Sequence, residues 1–383
     1  MRTMLAQTVS ALITSPRLRE AGRRRHAFLR RLFGRRPTIH YFHQADDPYS
    51  ILAIQAVPLI RQRYDADVVI HAVSAPDMAA APEPDMLVAY SKRDAALLSR
   101  QSGFPLDENA IAPLVPAATP QALTAGDSLR KKLGHYLGAT FHFEGEWYWG
   151  LDRLAFLEER LAPLRRADAP RGFIAPRRDV TLAPIEASTR RPVLEAFISF
   201  RSPYTYLAVE RVTKLAAHYG ADLNLRFVLP MVMRGLPVPL AKQLYIVRDC
   251  KREAERLGLP FGRIADPVGP GAERGLAVLH HAIRDGKGPQ FANSFLRGVF
   301  AEGIDAARGG GLMRMAKRAG LTRKQVKAAL ADSSWREVAE ANRKDMFAAG
   351  VWGVPAFRVD GGEMLWGQDR LWVAEDQLRA GRA

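Results

Sequence analysis

Runs of apolar, β-branched and aromatic residues predict eight β-strands in two groups. The strands of the first group are expected at residues 38–43, 66–74, 139–143 and 146–150, and those of the second at 193–200, 223–229, 356–359 and 363–367. Apolar residues recur at helical spacing after Pro48, after Asp152 and in several stretches between the second and third strands of the second group. Thr322 and Gln325 form a capping-box pattern at the start of one of these helices.

Two parts of the chain resemble each other. Residues 145–161 and 362–378 are identical at nine of seventeen positions, and residues 45–53 resemble residues 200–208 in their Pro, Tyr, Leu and Ala. Matched segments in the same order indicate a duplicated domain. Between its two matched segments the second copy is longer by 62 residues, and the helical stretch accounts for this excess.

The order of elements predicts an α/β fold with two tandem thioredoxin-like domains, the second with a helical insertion. The pattern divides the chain into a basic N-terminal arm (1–36), a degenerate thioredoxin-like domain (37–164), a linker rich in Pro and Arg (165–191), and a second thioredoxin-like domain (192–383) with its insertion at about 231–350. We hypothesise that the first copy replaces the second subunit of a dimer, so that one chain forms a pseudo-dimer. The chain itself would be a monomer or a homodimer.

The net charge of +16 is concentrated at the N-terminus, where residues 1–36 contain ten arginines and one acidic residue, Glu20. This segment is interpreted either as a solvated arm or as an amphipathic segment that makes a peripheral contact with an anionic membrane. No motif for specific nucleic-acid binding accompanies it. The single cysteine, Cys250, excludes an intrachain disulfide and a zinc site with several cysteines, and it suits a reducing compartment. We expect a cytoplasmic protein without a bound metal.

Ser202 and Pro203 follow directly after a predicted strand, which is typical of a helix that begins with a serine cap. The capping role alone is sufficient to explain this local sequence. However, a helix N-terminus also presents free N–H groups and a partial positive charge, which favour an anion. A serine hydroxyl at this place can donate a hydrogen bond to a thiolate and so lower the pKa of the thiol. The sequence thus makes Ser202 a candidate catalytic residue.

Two further elements carry candidate site residues. The Val354–Pro355 bond enters a predicted strand, where a cis peptide bond would free the Val354 backbone to pair with an extended ligand. At the start of the last helix, Gln368 and the helix N-terminus can bind a carboxylate, and Asp369 can bind an ammonium group. The alternative for this third element is that Asp369 caps the helix and Arg370 forms an ion pair on the surface.

Four ordered motifs between residues 192 and 383 resemble those of the 2-hydroxychromene-2-carboxylate isomerases and kappa-class glutathione transferases, which belong to the Dsb-type thioredoxin superfamily. The motifs are FISFRSPYTYLA at 197–208, the run from Pro239 through Lys242, Tyr245 and Asp249 to Arg252, GVPAF at 353–357, and WGQDRL at 366–371. The segment before Pro239 lacks the asparagine that the family often has there, which bears on the acceptor-substrate side of the site.

The resemblance implies glutathione as the cofactor and a role for each matched residue. Ser202 would contact the glutathione sulfur, and Lys242 would meet a glutathione carboxylate. The remaining glutathione-binding residues would be Val354, Pro355, Gln368, Asp369 and Arg370.

The first copy lacks most of these features. Asp47 occupies the position of Ser202, where a carboxylate would fill the anion site and repel a thiolate. No proline lies between Pro120 and Pro163, so the Val-Pro element is missing as well. The first copy is therefore interpreted as non-catalytic.

The resemblance implies a glutathione-dependent isomerase or transferase whose thiolate adds to an electrophilic carbon of an unsaturated small molecule. A thiol-disulfide oxidoreductase is disfavoured, because Ser202 and Thr205 stand where such an enzyme needs cysteines. The alternative is a non-catalytic thioredoxin-like protein that binds glutathione or a peptide, tethered to a membrane by its basic arm.

Overall fold

A computed structural model describes residues 2–184 and 190–381, with side chains from residue 7 onward. The chain forms two compact units. The N-terminal unit consists of residues 17–178 and 239–245, and the C-terminal unit takes in the described parts of 1–16, 179–238 and 246–383.

The elements of the first half of the chain are α1 (Arg2–Ile13), α2 (Pro16–Leu32), β1 (Thr38–His43), α3 (Pro48–Ile54), α4 (Ala56–Arg63), β2 (Asp67–Ala72), α5 (Pro84–Ser102), α6 (Glu108–Ile111), α7 (Pro120–Leu133), β3 (Thr140–Phe143), β4 (Glu146–Trp149) and α8 (Leu154–Leu161). Those of the second half are β5 (Val193–Ile198), α9 (Pro203–His218), β6 (Asp222–Phe227), α10 (Leu240–Arg256), α11 (Pro270–Arg284), α12 (Gly288–Phe300), α13 (Gly309–Arg318), α14 (Arg323–Ala331), α15 (Trp335–Ala348), β7 (Ala356–Val359), β8 (Leu365–Trp366) and α16 (Leu371–Ala380). Short 3-10 turns occur at Leu151–Arg153, Ala162–Leu164, Met231–Arg234 and Gln368–Arg370.

The N-terminal unit contains a four-stranded sheet in the order β2-β1-β3-β4. β1 is parallel to β2 and antiparallel to β3, and β3 is antiparallel to β4. The side chains of Ile39, Tyr41 and Phe141 are fully buried in its core. The Tyr41 hydroxyl donates to the backbone oxygen of Ser50 across 3.0 Å and so ties β1 to α3.

The C-terminal unit contains a sheet in the order β6-β5-β7-β8, with the same sequence of parallel and antiparallel pairs. Helices α10 to α15 are inserted between β6 and β7, as the apolar spacing predicts. At the start of α14 the capping box of Thr322 and Gln325 is confirmed. Phe200, just beyond β5, stacks on Phe295 of α12 with ring centroids 4.0 Å apart, so the insertion packs against the end of the central strand.

The basic N-terminal segment forms the two helices α1 and α2, which pack in different units. In the C-terminal unit, Gln7 of α1 donates to the Gly303 oxygen across 2.7 Å, and Ser10 Oγ accepts from the Ile264 amide across 3.1 Å. In the N-terminal unit, Arg23 of α2 forms a bidentate pair with Glu146 at 2.6 and 2.8 Å. Among the described helices, none has the length and apolar character that crossing a lipid bilayer requires.

Candidate functional site

Ser202 lies between the end of β5 and the first turn of α9, as its position before Pro203 predicts. Its Oγ accepts a hydrogen bond from the Thr205 amide across 3.1 Å, which caps the helix. The same hydroxyl donates to the Val354 oxygen across 3.1 Å. Ser202 is only partly buried, whereas Thr205 is fully buried. The hydroxyl is thus held at a helix N-terminus by two bonds, and the bond to Val354 can be exchanged for one to a ligand anion.

The turn before β7 brings the second predicted element to Ser202. The Val354–Pro355 peptide bond is cis, as predicted. The Pro355 oxygen accepts from the Gly367 amide across 2.9 Å, which joins this turn to the third element. A Cβ atom added to Gly353 would lie 2.2 Å from the ring of Trp366, so only glycine fits at this place. Three segments far apart in the sequence therefore meet at one end of the sheet.

Gln368, Asp369 and Arg370 form the short turn that precedes α16. Gln368 and Arg370 are buried and Asp369 is partly buried. The Gln368 amide donates to Asp369 Oδ1 and accepts, through Oε1, a hydrogen bond of 2.6 Å from Arg211 Nη1. Arg211 of α9 was not predicted as a site residue. The Gln368 amide therefore links a guanidinium to the carboxylate of Asp369.

Burial lowers the pKa of Arg211. The Arg211 guanidinium lies 3.9 Å from Asp179, which also accepts from Arg256 across 2.6 Å. Arg211, Asp179 and Arg256 therefore form a row of alternating positive and negative side chains that begins at Gln368, next to Asp369. A ligand with carboxylate and ammonium groups at separate ends would find partners of both signs here.

Tyr204, of the same motif as Ser202, is joined to the fully buried Asp249 of α10. Its hydroxyl donates to Asp249 Oδ2 across 2.8 Å, and Arg252 pairs with Asp249 Oδ1 at 3.2 Å. Two of the motifs on which the family resemblance rests, that around Ser202 and that around Lys242, are thus in direct contact through these side chains.

Lys242 belongs to the N-terminal unit, as do the residues it contacts. Its Nζ donates to the Ala80 oxygen across 2.7 Å and lies 6.0 Å from the centre of the Tyr136 ring. Burial lowers the pKa of Lys242 to about 8. Three residues further along, Tyr245 packs in a small cluster with Phe42, Val73 and Trp147. The contact of Lys242 with a glutathione carboxylate stays a prediction.

Asp47 caps α3 in the N-terminal unit, at the position that corresponds to Ser202. Its carboxylate accepts from the amides of Tyr49 and Ser50, each across 3.2 Å, and from the Ser50 hydroxyl across 2.9 Å. Burial raises the pKa of Asp47 to about 6. The carboxylate uses the N–H groups that would otherwise be offered to an anion.

Other candidate residues do not form a second site. Cys250 is fully buried. His281 pairs with Asp332 at 2.8 Å and the neighbouring His280 lies 3.3 Å from the Ser334 hydroxyl. Within the described part of the chain, no group of three His, Cys, Asp or Glu residues has a metal-binding arrangement.

Comparison with known proteins finds a match to a protein family in the second half of the chain. The model of the DSBA-like thioredoxin domain matches residues 193–379. The 2-hydroxychromene-2-carboxylate isomerase of Pseudomonas putida is 24% identical over 194 residues, which cover 49% of this chain and 94% of that protein.

Two of the solved structures with similarity to this chain are the following. A structure of 2-hydroxychromene-2-carboxylate isomerase has 23% identity, with 49% of this chain and 94% of that chain covered and a TM-score of 0.41. The cytosolic disulfide reductase DsbM of Pseudomonas aeruginosa has 22% identity, with 49% and 96% covered and a TM-score of 0.41. Residues 193–379 thus match the DSBA-like thioredoxin domain, and the chain has distant similarity to an isomerase over 49% of its length.

Proposed function

We propose that this protein is a glutathione-dependent isomerase or transferase that acts on an unsaturated, electrophilic small molecule. Ser202 is assigned to the reaction. Glutathione binding is assigned to Lys242, Val354, Pro355, Gln368, Asp369 and Arg370. The chemistry is placed in the cytoplasm, because a free thiol cofactor needs a reducing compartment.

The observation that carries the proposal is the position of the Ser202 hydroxyl, at a helix N-terminus and 3.1 Å from the backbone oxygen that precedes Pro355. Bound glutathione would supply a nucleophilic thiolate. Ser202 would release the Val354 oxygen and donate to the sulfur, while the N-terminus of α9 adds its partial positive charge. A shift of two units in a thiol pKa corresponds to roughly 2.7 kcal/mol, which these two effects can supply together.

The polar groups around Asp369 suit the rest of the ligand. Glutathione has one ammonium group and two carboxylates. Asp369 would receive the ammonium group, and the Gln368 amide a carboxylate. Lys242 is assigned to the other carboxylate on the family resemblance.

The N-terminal unit is proposed to be a degenerate copy of the same domain, produced by tandem duplication. The identical strand order of the two sheets supports this origin. Asp47 in place of Ser202 supports the loss of the anion site, because its carboxylate accepts the amides that would stabilise a thiolate. We infer a pseudo-dimer within one chain, in which the N-terminal unit has a structural role.

The alternative is a protein that binds glutathione or an extended peptide without turnover. The cis peptide bond before Pro355 favours it, since the backbone at such a turn can pair with an extended peptide. Thiol-disulfide exchange through this site is not proposed, because Ser202 and Thr205 provide no sulfur.

Calorimetric titration of glutathione into the full chain tests the proposal. We expect binding to the wild type, loss of binding in Asp369→Ala, and unchanged binding in Glu363→Ala, which removes an exposed carboxylate from the same region. S-methylglutathione should bind more weakly, because its sulfur cannot become a thiolate. Absence of binding at millimolar glutathione would reject both the enzyme and the glutathione-binding alternative.

A further inference from the structure

The two faces of helix α2 carry different kinds of side chain. The face toward the N-terminal unit is attached through ion pairs: Arg23 with Glu146, and Arg30 with Glu144. Glu144 also pairs with Arg160 at 2.7 Å. Basic residues of α2 are thus used to bind the helix to its own unit, where an ordinary amphipathic helix would bury apolar side chains.

The opposite face carries large apolar side chains that are exposed. Phe28 is 63% exposed, Leu32 is 62% exposed, and Phe33, directly after the helix, is 61% exposed. A single exposed apolar residue is ordinary on a protein surface, but Phe28 and Leu32, four residues apart, lie on one side of α2, and Phe33 follows directly after them.

Arginines surround this patch. Arg24, Arg25 and Arg31 are exposed and fall on the same side of α2 as Phe28, because each lies three or four residues from it. Arg35 follows, with its guanidinium 5.3 Å from the centre of the Phe33 ring. We call Arg24, Arg25, Phe28, Arg31, Leu32 and Phe33 the outward face of α2.

The end of the helix holds Phe33 and Arg35 in place. The Arg35 amide donates to the Arg30 oxygen across 2.9 Å, the Gly34 amide donates to the Arg31 oxygen across 3.2 Å, and Gly34 has a φ of +59°. This is a Schellman motif, in which glycine adopts the left-handed conformation that ends the helix. The helix therefore ends directly after Leu32, and Phe33 and Arg35 lie in its C-terminal cap.

We propose that the outward face of α2 is a docking surface for an anionic lipid bilayer, a property that goes beyond the proposed enzymatic function. Phe28, Leu32 and Phe33 would enter the boundary between headgroups and acyl chains, and the arginines would contact lipid phosphates. The ion pairs with Glu144 and Glu146 would keep the N-terminal unit attached to the membrane-bound helix.

A second copy of the chain fits this face less well. A symmetric contact between two outward faces would bring Arg24, Arg25 and Arg31 against the same residues of the other copy, and like charges at close range oppose association. Nucleic acid would satisfy the arginines but gives Leu32 no partner, since bases stack on aromatic rings rather than on aliphatic side chains.

Vesicle flotation with the full chain tests the proposal. The vesicles contain phosphatidylcholine alone or phosphatidylcholine mixed with phosphatidylglycerol. We expect wild-type protein to float with the anionic vesicles, weakly with the neutral ones, and less at high salt. The triple variants Phe28→Ser/Leu32→Ser/Phe33→Ser and Arg24→Gln/Arg25→Gln/Arg31→Gln should each lower the bound fraction at limiting lipid by about tenfold or more.

Matched control variants test whether vesicle binding depends on the outward face of α2 or only on the overall charge and hydrophobicity of the protein. Lys92→Gln/Lys131→Gln/Lys132→Gln removes three exposed charges from the same unit, and Met78→Ser/Val88→Ser removes exposed apolar side chains from it. Both should float as the wild type does. Thermal unfolding of all variants checks that the fold is retained, which we expect because every substituted side chain is exposed.

Several results would overturn the proposal. Wild-type protein that fails to float with anionic vesicles would do so, as would a bound fraction unaffected by either substitution in α2. Binding to a labelled RNA without flotation would assign the outward face to nucleic acid. Concentration-dependent dimerisation that is lost in the Phe28, Leu32 and Phe33 variant, again without flotation, would assign it to a second copy. None of these results depends on glutathione binding.

Discussion

The Ser202 hydroxyl donates to the Val354 oxygen across 3.1 Å, which connects two residues 152 positions apart in the chain. The same oxygen atom of Ser202 accepts the Thr205 amide and so caps α9. A single side chain therefore supports the helix and faces the turn at Pro355. Any substitution of Ser202 must be interpreted with both roles in mind.

Ser202 variants should separate thiolate stabilisation from capping. We expect the ultraviolet absorbance of the thiolate to show a pKa for bound glutathione roughly two units below the usual value of about 8.5 in the wild type. Ser202→Ala should return that pKa toward its usual value. Ser202→Asp, which retains a capping acceptor but adds a negative charge as Asp47 does, should abolish binding. Ser202→Thr should retain most of the effect.

The lost cap itself is expected to lower the free energy of unfolding of Ser202→Ala by about 1 kcal/mol. Thr322→Ala is the matched control, because it removes a serine-type cap from α14 at a place outside the candidate site. It should lose similar stability and leave the pKa of bound glutathione unchanged. An unchanged pKa in Ser202→Ala would contradict the assigned role.

The Tyr204 hydroxyl should matter more for stability than a neighbouring hydroxyl on the same helix. Tyr204 donates to the carboxylate of Asp249, whereas Tyr206 donates to the Pro260 backbone oxygen across 2.7 Å. We expect Tyr204→Phe to lower the free energy of unfolding by about 2 kcal/mol and Tyr206→Phe by about 1 kcal/mol, because hydrogen bonds to charged groups contribute more. Urea unfolding measures both, and the reverse order would contradict this reasoning.

Arg211 is expected to act as a positioning residue for the glutathione site, because it holds the Gln368 amide that donates to Asp369. Arg211→Met should raise the Kd of glutathione about tenfold, and Arg211→Lys should restore part of the affinity. Arg256→Met is the control: Arg256 pairs with Asp179 and Glu253, and no contact joins it to Gln368 among the bonds described above. A Kd that rises equally in Arg256→Met would indicate a general electrostatic effect.

The parts that sequence reasoning predicted are those whose signals are local. The cap at Ser202, the capping box at Thr322 and the cis bond before Pro355 each depend on residues that are adjacent or a few positions apart. β1 was predicted at the residues where it occurs, whereas β8 is limited to Leu365–Trp366 and is shorter than predicted. β8 lies at the edge of its sheet, where a short strand limits pairing with another chain.

The parts that sequence reasoning missed depend on long-range packing. Arg211 lies on α9 between other polar residues such as Glu210 and Lys214, and only the fold shows that Gln368 is opposite it. Likewise, the bond from Lys242 to the Ala80 oxygen joins residues 162 positions apart. The sequence held no local signal for Arg211, because α9 is only partly buried and carries other charged residues such as Glu210 and Lys214.

Asp47 should make the stability of the N-terminal unit depend on pH. Burial raises its pKa to about 6, so the folded state binds the proton more tightly than the unfolded state. Stability should therefore decline as pH rises from about 4, the unfolded-state pKa, to about 6, and stay level at higher pH. Asp47→Asn keeps a capping oxygen without the charge.

We expect Asp47→Asn to be more stable than the wild type at pH 8, by about 2 kcal/mol once partial exposure is allowed for, and to keep only about half of that advantage at pH 5, which lies between the two pKa values. Asp107→Asn, at the exposed N-cap of α6, is the matched control and should change stability little at either pH. Chemical unfolding at the two pH values measures the difference. A larger advantage for Asp47→Asn at pH 5 than at pH 8 would refute the assignment.

The sheet of the C-terminal unit should lose stability in acid through two carboxylates. Glu195 of β5 accepts from Arg226 of β6 across 2.7 Å and from Arg358 of β7. Asp345 of α15 pairs with the same two arginines. Burial alone would raise the pKa of Glu195 and Asp345, but the hydrogen bonds from the two guanidinium groups outweigh it and lower both pKa values.

Because the pKa values of these carboxylates are lower in the folded state, both groups stabilise the fold above pH about 4, their pKa in the unfolded chain. This contribution is lost as the pH falls from about 4 to their folded-state pKa values. Glu195→Gln leaves two guanidinium groups facing one carboxylate, so we expect a loss of about 3 kcal/mol at pH 7 and a shallower decline in acid. Glu340→Gln, which breaks an exposed pair with Arg343, should lose less than about 1 kcal/mol. Urea unfolding from pH 7 to pH 3 compares the variants. Equal losses at pH 7, or a decline in Glu195→Gln as steep as that of the wild type, would show that the pairs across β5, β6 and β7 do not stabilise the sheet.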